Sequence, residues 1–149
     1  MAAGNPPSVR RVTGKPNINV YNQVSGGTST AFYAGDLVKL DANGFLVIAT
    51  TAAILGIAQI QSPGNTTTEV PVDVIFPDGS LFAARLGSGT CAVTDYGEIC
   101  DFTFTVGAHT IATNGTNDSV CIRNLDAIGV GTTELVSFKT GALQGATGF

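Results

Sequence analysis

The feature that most constrains this chain is the spacing of its turn residues. Between residues 69 and 104, EVPVDVIFPDGSLFAARLGSGTCAVTDYGEICDFTF, no run of strand-type residues lasts long before a break. Val70, Val72, Val74 and Phe76 alternate with other residues, as one face of an extended chain requires. Pro77-Asp78-Gly79 ends that run, Gly87-Ser88-Gly89 ends the next, and Asp95-Tyr96-Gly97 the one after. Helices need longer uninterrupted periods with caps, and none occurs in the chain. The pattern predicts an all-β fold, a small antiparallel β-barrel or sandwich, with these three breaks as reversals.

Flanking segments extend the pattern. Phe32–Leu40 and Phe45–Thr50 surround Asp41-Ala42-Asn43-Gly44, and Asn-Gly tolerates the positive φ of a tight turn, so a hairpin is expected. Ile54–Ile60 (ILGIAQI) reads as a buried strand, with Gly56 marking a bend or a close backbone approach. Gln61–Thr68 is a polar loop. Past Thr105, Gly107-Ala108-His109 makes a turn, Thr110–Thr113 a weak strand, and Asn114–Asp118 a loop. Val120–Arg123 and Glu134–Lys139 supply the last strands.

The N-terminus has a different character. Pro6, Pro7 and Pro16 oppose regular structure, and Arg10, Arg11 and Lys15 are three of the seven basic residues, with no acid before Asp36. Residues 1–24 are expected to form an arm, either frayed or ordering on a partner, and Asn17–Val24 can form a first strand or extend a neighbour's sheet. Residues 25–31 are a flexible connector, 32–140 a single β domain, and 141–149 a small-residue tail.

Composition narrows the function. Charged residues make up 12% of the 149, about half the usual share, which points to a surface rich in small polar residues or covered by other chains. The net charge of −4 gives the body no basic patch for nucleic acid. No leader-like apolar segment opens the chain, and the longest apolar stretch, Ala52–Ile60, is too short to span a bilayer. Cys91, Cys100 and Cys121 lack a CxxC spacing and read as small, reduced, apolar residues.

Catalytic patterns are weak. His109 is the only histidine, placed at a turn edge; Ser119 and Cys121 lie near it in sequence, without a GxSxG elbow. Asp95, Glu98 and Asp101, or Asn114, Asn117 and Asp118, supply oxygen ligands without EF-hand spacing. No enzyme activity, cofactor or metal is expected.

Several blocks in order carry a resemblance: Ala34-Gly35-Asp36-Leu37-Val38; Ile54-Leu55-Gly56-Ile57-Ala58; Phe76-Pro77-Asp78-Gly79-Ser80-Leu81-Phe82; Ala92-Val93-Thr94-Asp95-Tyr96-Gly97; Val120–Asp126; and Glu134–Phe138. Over residues 32–139 the series resembles the head decoration, or cement, proteins of tailed bacteriophages, especially those of cyanobacterial and marine phages. The resemblance implies a structural virion protein on the outer surface of the capsid, made and assembled in the host cytoplasm. Its implied partner is the major capsid protein, whose subunits it clamps as a homotrimer at three-fold and quasi-three-fold positions. Neither nucleic acid nor membrane is contacted directly. From the residues themselves, Arg10, Arg11, Lys15, Asn17, Asn19 and Tyr21 are the expected capsid contacts. The alternative is a phage-associated carbohydrate- or receptor-binding β module, with Tyr21, Tyr33 and Tyr96 available for sugar stacking.

Overall fold

The computed structural model describes residues 8–23, 31–50, 53–65, 67–86, 97, 99–104, 106–112, 120–125, 133–139 and 142–144. These carry eleven strands and no α-helix. In chain order they are β1 (Val9–Arg11), β2 (Ile18–Asn22), β3 (Leu37–Leu40), β4 (Leu46–Ile48), β5 (Gly56–Ala58) and β6 (Glu69–Val74). Then follow β7 (Phe82–Leu86), β8 (Ile99–Thr103), β9 (Thr110–Ala112), β10 (Val120–Leu125) and β11 (Thr133–Phe138). The fold is all-β, a small closed barrel with a second sheet.

The barrel runs β7-β11-β10-β8-β9 and closes where β9 returns, in parallel, to β7. β1 lies antiparallel on the same edge of β7, so β7 offers Phe82–Ala84 to β1 and Arg85–Leu86 to β9. The second sheet has the order β2-β6-β5-β3-β4.

Strand alternation divides the apolar residues between two cores. Val38, Leu46, Ala58, Val70, Val72 and Val74 fill the second sheet's own core with Phe32. Leu37 and Ile57, their chain neighbours on the other face, join the barrel core of Phe82, Phe102, Ile122 and Val136. Both faces of β5 are therefore buried, which is why its sequence reads as an almost continuous apolar run. Phe138 stacks on Phe102 at 5.8 Å and meets Phe82 edge-on at 5.2 Å, filling the barrel with aromatic contacts.

The expected hairpin is present. Gly44 has φ +82°, and the Asp41 carboxylate accepts the N–H groups of Asn43 and Phe45, fixing the turn between β3 and β4. Gly56 is a close-approach glycine: a Cβ there would overlap the carbonyl oxygen of Asp73 on the adjacent strand.

Three expectations need correction. Residues 8–23 are not a separate arm: β1 extends the barrel's sheet beside β7, and the strand expected as one alternative for Asn17–Val24 is present as β2 of the second sheet. Pro77–Gly79 does not reverse the chain within one sheet: β6 lies in the second sheet and β7 in the barrel, so this break is a crossover. Residues 142–144 are not a free tail. Ala142 and Leu143 are buried, and the Ala142 carbonyl accepts the N–H groups of Ala53 and Ile54. The Gln144 amide both accepts from and donates to the Leu40 backbone. The breaks at Gly87–Gly89 and Asp95–Tyr96, the connector at 25–30 and residues 145–149 lie outside the described residues.

Gly56→Ala should cost about 3 kcal/mol, the upper end for forcing atoms into a filled site, because the obstacle is backbone. A urea melt checks this; a midpoint equal to the parent's would mean that β5 and β6 do not lie so close.

Candidate functional site

The six N-terminal candidates occupy different environments. Arg11 points inward: its guanidinium donates to both Asp73 carboxylate oxygens, Nε to Oδ2 at 2.8 Å and Nη2 to Oδ1 at 2.9 Å. Two parallel bonds to a carboxylate are the strongest geometry available to arginine. The same guanidinium lies 4.8 Å from the centre of the Phe82 ring. Asp73 also accepts the Asn17 N–H at 3.0 Å. Arg11 is thereby committed to joining β1 to β6, and its assignment to a surface contact is corrected. Asn17 is half-buried beside it.

Arg10, Lys15 and Asn19 are exposed, and Tyr21 is half-buried against the second core. The residues that sequence reasoning missed lie between them. Ile18 and Val20 are 54% and 49% exposed, side by side on one face of β2. Opposite them on β6 are Asp73 and Pro71, while Asn19 and Tyr21 pair with Val72 and Val70, and of these two only Tyr21 packs on the second core. Their signal was visible, since Ile18 and Val20 alternate with Asn19 and Tyr21, but alternation alone does not say which face is buried.

β2 is an edge strand. β6 pairs with one side of it, and at Gln23 the chain reaches β4 through a single parallel bridge to Leu46. Among the described residues no other strand pairs with Ile18–Asn22. The strand carries none of the charges or prolines that usually protect an edge. Near its start, Tyr21, Phe76, Asn17, Asn19, Ile18 and Val74 line a shallow open groove.

The catalytic candidates fare differently. His109 does follow a turn, directly ahead of β9, but it is buried there, 1% exposed, beside Asp36 and Ser8. These three residues are not a nucleophilic triad. The Ser8 hydroxyl donates to Asp36, not to the imidazole, and is itself buried. Ser119, Cys91 and the acidic group at Asp95 and Glu98 lie outside the described residues, as do Asn114, Asn117 and Asp118. Asp101 is buried within β8 rather than in a loop. Among the described residues no three His, Cys, Asp or Glu side chains are grouped to hold a metal, and no helix is long and apolar enough to cross a membrane. Cys121 is a free thiol, and Cys100 is buried within β8. Tyr33 is exposed, whereas Tyr96 is outside the described residues.

No family model, curated protein or solved structure matches this chain.

Removing residues 1–16 deletes β1 and strips Asp73 of its cation. A buried carboxylate left without its partner costs about 3–5 kcal/mol. The truncated protein should therefore lose cooperative unfolding in urea. A truncated form with the parent's stability would restore the reading of this segment as an arm.

Proposed function

We propose that the protein is a phage capsid decoration protein, which binds the outer capsid surface and clamps neighbouring major capsid subunits. The observation that carries this reading is the β2 surface. Ile18 and Val20 are held outward on an edge strand whose position is fixed by five backbone pairings to β6 and by the buried Arg11–Asp73 fork. A rigid apolar edge strand can add to a sheet edge of another chain, gaining main-chain hydrogen bonds without first ordering a loose segment. The order of motifs across residues 32–139 and the sparsely charged all-β body support the same reading. Modest contacts suffice on a shell, because copies engaged at repeated positions gain avidity. Assembly as a homotrimer at three-fold and quasi-three-fold positions is part of the proposal.

A second reading has one observation in its favour. Tyr21 and Phe76 line the groove beside β2 together with the side chains of Asn17 and Asn19. Aromatic faces beside amides suit a sugar ring, as a carbohydrate-binding module requires.

The two readings separate by mutation. Ile18→Asn with Val20→Ser changes only exposed side chains and should leave stability within about 0.5 kcal/mol. In a sedimentation assay on expanded capsids of the source phage, this variant should lose binding while Tyr21→Ala retains most of it. Undiminished binding by the double variant would refute the β2 contact. Specific glycan-array binding, lost in Tyr21→Ala, would favour the second reading.

A further inference from the structure

The barrel closes at a seam where β1 and β9 meet end to end along one edge of β7. Ser8 precedes β1 and His109 precedes β9, and the two are joined there: the His109 N–H donates to Ser8 Oγ at 3.1 Å. Ser8 Oγ in turn donates to Asp36 Oδ1 at 3.1 Å. Asp36, buried just ahead of β3, also accepts the Gly107 N–H at 2.8 Å and the Tyr33 N–H at 2.9 Å, both on Oδ2. One carboxylate at the head of β3 thus holds both strand ends at the seam.

The His109 ring lies within this cluster without sharing in it. Neither ring nitrogen has a hydrogen-bond partner. Phe104 meets the ring edge-on at 5.6 Å, and the Asp36 oxygen nearest to Nε2 is 3.6 Å away, beyond hydrogen-bond length. That oxygen already serves Ser8.

We propose that this cluster is an acid-sensitive latch: uptake of a proton by the His109 ring opens the seam and frees Ser8–Arg11 from β7. The proton comes from solvent and adds to the unprotonated ring nitrogen. The resulting imidazolium has two N–H donors and no free acceptor. It is accommodated only if Asp36 turns towards it, releasing Ser8 and Gly107, or if the ring leaves for water. The first movement removes hydrogen bonds that hold the seam; the second draws His109, whose backbone N–H donates to Ser8, out of its place ahead of β9.

Among the described residues, Asp36 is the one charge that bears on the ring. Arg85 of β7 lies on the strand face opposite Ala84 and Leu86, Asp101 of β8 on the face opposite Cys100 and Phe102, and Arg11 of β1 is engaged by Asp73. Burial outweighs the attraction of Asp36 and holds the His109 pKa below its ordinary 6.5. The sign follows. The unfolded or opened state binds the proton more readily, so stability is complete above pH 6.5 and is lost as the pH falls from there towards the folded pKa.

The test uses the full chain. Hydrogen exchange, corrected for intrinsic rates, is followed from pH 7.5 to 5.0 by mass spectrometry, and the His109 ring is titrated by NMR. The ring should titrate below 6.5. Opening of residues 8–11 and 107–111 should increase by up to about tenfold per pH unit, the limit for one proton, while residues 70–74 stay protected. His109→Phe should abolish the response, and His109→Gln should do the same. Titration at or above 6.5 would mean that Asp36 and the imidazolium form a stabilising pair, and would overturn the proposal. So would retained protection of residues 8–11 at pH 5.0, or an equal loss in the variants. Should both variants misfold, the parent's titration and exchange decide the matter.

Discussion

The Arg11–Asp73 fork is the interaction on which the architecture depends. It joins a three-residue barrel strand to the interior of the second sheet, and both side chains are largely withdrawn from water. Alone, β1 is too short to hold its place by backbone pairing with β7. With the fork made, the chain from Val9 to Asn22 is pinned at both ends, by β7 on one side and β6 on the other. The outward position of Ile18 and Val20 follows from that anchoring.

A buried ion pair is a costly way to join two layers. Removing two charges from water consumes much of their attraction, and a well-packed apolar pair of similar volume often does as well. What the fork adds is selectivity of placement. A one-residue slip of β1 would turn Arg11 away from the carboxylate and leave Asp73 buried and unpaired. Asp36 acts in the same way at the seam, where it gathers donors from three separate segments. Two carboxylates, Asp73 within β6 and Asp36 just ahead of β3, thus set the register of the barrel's entry and closure.

The fold class was legible because turn residues and alternation are local signals. The Asn43-Gly44 turn, the apolar β5 and its crowded glycine each follow from a few adjacent residues. What was hidden depends on distant partners. Val9-Arg10-Arg11 looks like a cationic tail because the carboxylate that neutralises Arg11 lies 62 residues away. Pro77-Asp78-Gly79 announces a bend but not which sheet receives the next strand. Ala142–Gln144 has no pattern of its own, and its docking relies on backbone atoms of Ala53, Ile54 and Leu40. His109 looks like a turn residue because Gly107 precedes it; its burial comes from closure of the barrel around it.

The dependence of the fold on the Arg11–Asp73 fork is tested by a double-mutant cycle on Arg11→Met and Asp73→Asn, with stability measured by urea unfolding. A coupling energy of about 2–3 kcal/mol is expected, as for a buried, bidentate, charge-assisted pair. A coupling below about 0.5 kcal/mol, the range of solvent-exposed pairs, would contradict it and leave β1 a dispensable extension.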